Sequence, residues 1–356
     1  MVQPGVTNEG LQKALEKHGF FWPPDPTSAA VCTVGGNLAY NSAGPRAVKY
    51  GTPRENTLGL KAVTGAGAPI RTGVRTSKGV VGYDLTRLLI GSEGTLAVIT
   101  EASLKLSPLP EAQRTLQAVY DSMHSAAAAV SALMSQPVTP CALEFMDGAA
   151  IELVRDYAGL ALPESAAALL MIEVDGPAGC IDEAISAVRT AAAVEGLMEI
   201  HTATDSAEVQ RLWTARKALS PALRKAAPKK INEDVVVPVS CMPRFIDQLQ
   251  TLAAVHDIRI VNFGHAGNGN IHVNLLLNPE RRGEIQRGEA CLDAVFSLVL
   301  DLGGTLSGEH GVGLEKRDFV AREITSETLA LMHALKRQFD PKGILNPGKG
   351  LPDCPV

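Results

Sequence analysis

The segment VNFGHAGNGNIHVNLLL, Val261 to Leu277, constrains the fold of this chain more than any other. Two runs rich in β-branched and apolar residues, IRIVNF and IHVNLLL, flank a turn punctuated by Gly264, Gly267 and Gly269. That pattern predicts a β-hairpin. His265 closes the first strand and His272 opens the second, so the two imidazoles become neighbours at the hairpin mouth. Asn274, two residues beyond His272, falls on the same strand face. Two imidazoles held in this way suit a divalent cation that takes a third, carboxylate ligand. A second glycine-rich turn, LSGEHGVG, offers Glu309 followed directly by His310, and its glycines let the backbone bring both side chains to a bound group. Two tight turns with polar side chains facing water are the plainer alternative. Three histidines and a glutamate gathered in two such turns favour a joint site. The donor set suits zinc, manganese or ferrous iron. It serves equally a hydrolase that generates hydroxide and an oxidoreductase that holds a substrate hydroxyl.

Two further segments bear on that choice. TVGGNLAYNSAG (Thr33 to Gly44) and GSEGTLAVIT (Gly91 to Thr100) each set several backbone amides beside small residues, as a cradle for a pyrophosphate or a flat ring does. Neither has the P-loop pattern, and neither is a GxGxxG that follows a strand, so a Rossmann site is disfavoured. Taken singly, each also reads as an ordinary turn.

The 356 residues are enough for two domains, or three if one is small. With 46% apolar and 20% charged residues the composition is that of a globular chain with a real core. Disordered, collagen-like and coiled-coil classes are excluded. The formal charge of 33 − 38 = −5 gives no basic footprint for nucleic acid or anionic lipid. No apolar run reaches the length of about 18 residues that a membrane-spanning helix needs. MVQPGVTNEGLQ lacks the features of a signal peptide, so a cytoplasmic location is expected. Cys32, Cys141, Cys180, Cys241, Cys291 and Cys354 form no CxxC pair, which favours reduced thiols and disfavours an iron–sulfur cluster within the chain.

Along the chain, the first hundred or so residues read as short strands and glycine-marked turns. AVITEASLKL alternates, with Leu104 and Leu106 on one face and Lys105 on the other. The cluster SPLPEAQ, Ser107 to Gln113, is the expected domain boundary. Beyond it, helices are expected at Ser122–Gln136, in CIDEAISAVRTAAAVEG, in SAEVQRLWTARKALS with an interruption at Pro221, and in EACLDAVFSLVLDLGG. Strands are expected in CALEFMD, ALLMIEVDG, VVVPVS, IRIVNFGH and IHVNLLL. This alternation predicts an α+β layer with helices on one face of a sheet. A last helix, in ITSETLALMHALKRQF, precedes a Pro/Gly-rich tail.

Seven motifs then carry a resemblance: VQPGVTN, PPDPTSAAVCTVGGNLAYNSAG, KYG, GYDLTRLLIGSEGTLAVITEASLKL, GHAGNGNIHVN, SGEHGVG and FDPKGILNPGK. In order from Val2 to Lys349 they resemble the FAD-linked 2-hydroxyacid dehydrogenases, which include D-lactate dehydrogenase, the flavin subunit of glycolate oxidase and D-2-hydroxyglutarate dehydrogenase. The resemblance implies an α+β fold of three parts. Residues 1–107 would be the second half of an FAD-binding domain of the vanillyl-alcohol-oxidase (PCMH) type. Residues 108–334 would be a substrate-capping FAD-oxidase C-terminal domain of antiparallel sheet with flanking helices, and 335–356 a helix and tail that return to the flavin.

It also implies roles for individual residues. Pro24, Asp25, Thr33, Gly35, Gly36, Asn37, Asn41, Gly44, Tyr50 and Gly51 would line the flavin and pyrophosphate, with Glu93, Gly94, Thr95, Ile99 and Asn346 flanking the FAD. His265, His272 and Glu309 would bind a divalent metal, zinc or manganese, and His310 would be the catalytic base. Arg216, Ser220, Lys230 and Asn274 would contact substrate. Arg216 and Ser220 stand one helical turn apart, while Lys229 competes with Lys230 for the third place.

The implied reaction is FAD-dependent oxidation of a D-2-hydroxy acid (D-lactate-like, glycolate or D-2-hydroxyglutarate) to the 2-oxo acid by hydride transfer to the flavin. The electron acceptor would be a quinone, a cytochrome or an electron-transfer flavoprotein, and an iron–sulfur partner subunit would assist, as in glycolate oxidase. The location would be the cytoplasm or the periphery of the inner membrane. Three departures stand out. VQPGV follows Met1 directly where relatives carry a PRGxGT-like loop beforehand, so the chain is expected to lack the N-terminal part of the FAD domain. The alternative is then a fragment or subunit unable to hold FAD alone. Asn268 replaces the usual Asp of the hairpin, and Ala97 stands where Gly is common. A metal hydrolase leaves the two N-terminal glycine-rich segments without a role.

Overall fold

SPLPEAQ is where the chain passes from one folding unit to the next. The computed structural model, which describes residues 1–76, 78–158 and 162–353, divides into Met1–Leu109 with Ser307–Val356, and Pro110–Leu306. Residues 307–334 thus group with the first unit, as does the tail after them. Cys354 lies outside the described residues. The prolines do not silence this segment. Ser107–Pro108 pairs antiparallel with Phe20–Phe21, and a nine-residue strand starts at Ala112.

In the first unit, helix α1 (Asn8–Glu16) is capped by Thr7, whose side chain accepts from the Gly10 amide. Helix α2 (Val34–Tyr40) is capped by Thr33 and ends on a left-handed Asn41, φ 57°. A three-stranded antiparallel sheet runs in the order β2–β1–β3, where β1 is Thr57–Thr64, β2 is Pro69–Gly73 and β3 is Ala97–Leu104. Trp22, Val34, Leu38, Leu60, Leu89 and Ile90 form its core. The alternation of AVITEASLKL ends earlier than expected. Leu104 faces Thr57, the first residue of β1, so no ladder remains beyond it. Leu106 is therefore exposed, as Lys105 is.

The second unit is built on a seven-stranded sheet in the order β8–β10–β9–β5–β6–β4–β7, antiparallel throughout. In chain order its strands are β4 (Ala112–Tyr120), β5 (Ala142–Asp147), β6 (Ala168–Gly176), β7 (Leu197–Thr202), β8 (Lys229–Val236), β9 (Arg259–His265) and β10 (Asn270–Leu277). The helices are α3 (Met123–Met134), α4 (Gly148–Ala158), α5 (Ile181–Ala192), α6 (Ser206–Ala226), α7 (Met242–His256) and α8 (Glu284–Asp301). The expected placement of helices on a single face is corrected here. Every residue of β5 and β10 is buried, so both faces of the central strands must be covered. Ile151 and Val154 of α4 and Leu212, Leu219 and Leu223 of α6 pack on Met146, Met171, Val261 and Phe263. The remaining helices pack among themselves and on the sheet's other face.

Two local expectations also change. Pro221 does not interrupt α6, which continues to Ala226. Proline forfeits one helical hydrogen bond, but Leu219 before it and Ala222 and Leu223 after it enter the same core cluster and hold the axis. In VVVPVS the strand stops at Val236, before Pro238, which opens a short 3₁₀ turn.

Asp147 joins β5 to α4. Its Oδ1 accepts from the Ala150 amide (2.7 Å) and its Oδ2 from the Asn262 backbone N–H (2.6 Å) and side-chain amide (3.0 Å). Burial outweighs these bonds and pushes its pKa up to about 6. Between the ordinary aspartate value and that point, the folded protein binds this proton more than the unfolded chain does. Stability owed to Asp147 therefore falls as pH rises through that interval, by on the order of 3 kcal/mol, and levels off above it. Asp147→Asn is expected to flatten this part of the stability profile, read by urea denaturation across the same pH range.

Candidate active site

On the face of the second unit that carries α4 and α6, the apolar cluster gives way to polar side chains. Strand alternation decides which ones. His265 of β9 lies opposite Glu144 of β5, Phe263 lies opposite His272 of β10, and Asn274 of β10 lies opposite Asn232 of β8. The hairpin forms as expected, with its turn at Ala266–Gly269. Gly269 is required there: φ is +69°, and a Cβ would meet the Val237 carbonyl oxygen at 1.9 Å. The His265 and His272 rings stand edge to face, with centroids 5.4 Å apart.

Glu144 is the centre of this cluster. It is 1% exposed, and its two oxygens take different partners. Oε1 is 2.5 Å from Nδ1 of His265, and Oε2 accepts from Nε of Arg216 at 2.8 Å. Burial alone raises a carboxyl pKa. The His265 and Arg216 charges, with their hydrogen bonds, more than offset it and hold Glu144 below the usual carboxylate range. The Arg216 guanidinium lies over the Phe263 ring, 4.6 Å from its centroid. One turn earlier on α6, Trp213 donates to Oε1 of Glu173 at 2.7 Å. That carboxylate also accepts from Thr115 (2.9 Å) and Gln113 (2.7 Å).

The other residues expected to meet substrate are placed as follows. Ser220 is exposed while Arg216 is buried. Lys230, and not Lys229, shares its face with Asn232 and Asp234. Desolvation, with Arg224 nearby, lowers the Lys230 pKa. Asn274 is fully buried, and its amide is engaged inside the sheet. It donates to the carbonyls of Val261 (3.1 Å) and His272 (3.0 Å), and it accepts from Asn232 at 2.7 Å. Among the described residues, no three or more His, Cys, Asp or Glu side chains are arranged to hold a metal ion. The donors that are already paired are the two imidazoles, and their chemistry suits a divalent ion.

In the first unit, carboxylates hold glycine-rich loops. Glu309 Oε1 accepts from the Gly44 amide (2.7 Å), and the Glu309 carbonyl accepts from the Ser42 hydroxyl (3.0 Å). Glu93, itself at φ 53°, accepts from the amides of Val312 (2.6 Å) and Gly313 (2.9 Å). Asn346 donates to the Glu93 carbonyl, and Gly94 packs beside that amide. Lys336 Nζ donates to the carbonyls of Thr95 and Leu345, both at 2.7 Å. His310 is exposed in the same loop.

The amides expected to cradle a ligand are largely engaged within the unit. Gly35 donates to the Pro4 carbonyl, Asn37 to Thr33, Gly91 to Leu38 and Glu93 to Ala39. The glycines answer to packing: a Cβ on Gly35 would meet Pro4 at 2.5 Å, and one on Gly44 would meet the Asp25 carbonyl oxygen at 2.4 Å. Pro24 receives Asn8, Asn41 accepts from Thr52 and Arg54, Tyr50 packs edge-on to Phe21, Gly51 closes on Glu55, and Ile99 joins the core. One feature fits a bound cofactor directly. Asn37 is 3% exposed, and its side-chain NH₂ has no partner, so a buried donor awaits an acceptor such as a pyrophosphate or flavin oxygen.

Two family models match the chain: FAD linked oxidases, C-terminal domain, over residues 109–350, and FAD binding domain, over residues 1–73. The chain belongs to the FAD-linked oxidases. It is 40% identical over 98% of its length to glycolate oxidase subunit GlcD of Bacillus subtilis (strain 168), spanning 74% of that protein. It is 34% identical over 98% of its length to a D-lactate dehydrogenase of Anaerostipes hadrus, spanning 75% of it. In fold it is similar to p-cresol methylhydroxylase with substrate bound, with a TM-score of 0.74 at 18% identity, over 99% of this chain and 76% of that one. The α+β fold is thus of the PCMH type, and this FAD-linked oxidase is an oxidoreductase.

Glu144 and Asn232 are residues of this cluster that were not expected. Their signal is an isolated carboxylate or amide inside a strand, as in CALEFMD. Gly44→Ala in this FAD-linked oxidase is expected to cost about 2–4 kcal/mol, from the left-handed φ and the overpacking together. Gly36→Ala, where a Cβ meets only Thr33 Oγ1 at 3.4 Å, should be neutral or stabilising by up to about 1 kcal/mol. Thermal denaturation of the two variants checks both.

Proposed function

We propose that this chain oxidises a D-2-hydroxy acid, or glycolate, to the corresponding 2-oxo acid. The observation that carries the reading is the shared carboxylate. Glu144 ties Arg216, a guanidinium suited to a substrate carboxylate, to His265, one of two adjacent imidazoles suited to a cation. The relatives named glycolate oxidase subunit and D-lactate dehydrogenase support the substrate class.

Arg216 and Lys230 would hold the substrate carboxylate, with Ser220 at the exposed end of the same helical turn. Asn274 would set the spacing of the strand that carries His272. His265 and His272 would hold a divalent ion, zinc or manganese, with Glu309 assigned as its third ligand. That ion, when bound, lowers the pKa of a coordinated hydroxyl. His310 would take the hydroxyl proton. FAD, when bound against residues such as Asn37, supplies the redox chemistry.

Electrons would pass to a quinone, a cytochrome or an electron-transfer flavoprotein. A partner subunit is part of this reading, since the Bacillus subtilis relative is named as a subunit, and an iron–sulfur cluster is proposed for that partner. No helix among the described residues is long and apolar enough to cross a membrane. The location proposed is the cytoplasm or the periphery of the inner membrane.

The test is a panel of D- and L-2-hydroxy acids with an artificial electron acceptor, run on protein whose visible spectrum shows bound flavin. Turnover of a D-2-hydroxy acid or glycolate is expected. Flavin-loaded, metal-loaded protein that turns over none of them refutes the reading. His310→Ala should lower turnover by about 10²–10⁴-fold with flavin retained. Chelation should lower activity, and zinc or manganese should restore it.

A further inference from the structure

We propose that Glu144 is the positioning residue of this site: it fixes the tautomer of His265, so that Nε2 is the cation donor, and it orients the Arg216 guanidinium beside that imidazole. The inference rests on the reading of His265 as a metal donor. It adds a residue that no sequence motif marks, set between apolar neighbours in the run CALEFM.

The geometry separates orienting from docking. Glu144 gives one oxygen to each partner, so neither side chain can rotate without losing a charge-assisted bond. With Nδ1–H committed to the carboxylate, the second ring nitrogen carries the lone pair, as in the carboxylate–histidine arrangement that orients metal ligands. Arg216 is fixed in plane by the carboxylate at Nε and by the Phe263 ring below it. Its two terminal nitrogens lie outside that bond. The docking of α6 has its own anchor, one turn before Arg216, in the bond from Trp213 to Glu173. Glu144 is therefore not needed merely to attach the helix.

The amide variant gives a specific expectation. In Glu144→Gln the single carbonyl oxygen must face Arg216, which can only donate. The side-chain NH₂ then faces His265 Nδ1, which must accept, and the ring proton moves to Nε2, the atom needed by the cation. Zn²⁺ affinity of the purified full chain, read by competition with a chromophoric chelator, should fall by about 10–100-fold. In ¹⁵N NMR of the metal-free protein, the His265 proton should sit on Nδ1 in the wild type and on Nε2 in Glu144→Gln. Glu173→Gln should leave both readouts at wild-type values.

Wild-type Zn²⁺ affinity in Glu144→Gln, or a wild-type His265 protonated on Nε2, overturns the positioning role while leaving the cation reading standing. A wild-type chain that binds no Zn²⁺ overturns both. If Glu144→Gln does not fold, Glu144→Asp keeps the charge but shortens the reach. An affinity loss in that variant with Nδ1 still protonated supports the proposal, and unchanged affinity overturns it.

Discussion

A carboxylate with 1% exposure cannot keep its charge unless the protein surrounds it with hydrogen-bond donors and a compensating charge. Glu144 meets that condition with an imidazole and a guanidinium from two different elements, β9 and α6, while its own strand lies between other buried strands. Three elements distant in sequence thereby meet at one pair of oxygen atoms. The arrangement is intolerant of partial change. Removing either donor leaves a buried carboxylate half-compensated, and removing the carboxylate leaves a buried guanidinium with only an aromatic face. Specificity of geometry, more than net stabilisation, is what such a triad contributes.

The first unit uses the same chemistry toward main chain instead of side chains. Glu93 gathers the amides of Val312 and Gly313, and Glu309 takes the amide of Gly44. Gly311 and Gly313 have positive φ, which lets consecutive amides of that loop converge on one carboxylate. Tyr40 and Glu93 crowd Gly311 so closely that a Cβ would meet the ring at 2.5 Å. Glycine-rich loops in this unit are thus held in shape by acids. The buried Asn37 amide is a donor left over for a ligand.

The hairpin, the α+β class and the placing of His265, His272 and Asn274 on one strand pair were legible because period-two patterning and glycine punctuation are local signals. Glu144 was not legible, because its value lies in partners 72 and 121 residues away in sequence. The first six residues of β8 were missed for a related reason, the expected strand starting only at Val235. KKINED is polar on the face that carries Lys230, Asn232 and Asp234, and a strand with a functional polar face reads as a loop. Pro221 misled in the opposite sense: local propensity argued for a break, and core packing on both sides of the proline overrode it. Glycine-rich segments 33–44 and 91–100 announced close approach correctly, but the approaching group is largely Pro4, Asp25 and neighbouring main chain.

Charge balance shapes what this face can recognise. Arg216 and Glu144 together carry no net charge, so a substrate carboxylate meeting the pair is bound by directed N–H donors more than by long-range attraction. Screening by salt then matters little, and planarity matters much. The lone cation on the same face of β8 is Lys230, partly desolvated, with its charged form disfavoured by that burial and by Arg224. A carboxylate brought near it would oppose both effects by favouring the charged form. Asn274, with its amide fully engaged by Val261, His272 and Asn232, locks β8 to β10 and so holds Lys230 opposite Leu276, on the face that sets Asp234 opposite His272. The site's fixed elements are thus the buried carboxylate and the strand-locking amide, and its responsive element is the half-buried lysine at the sheet edge.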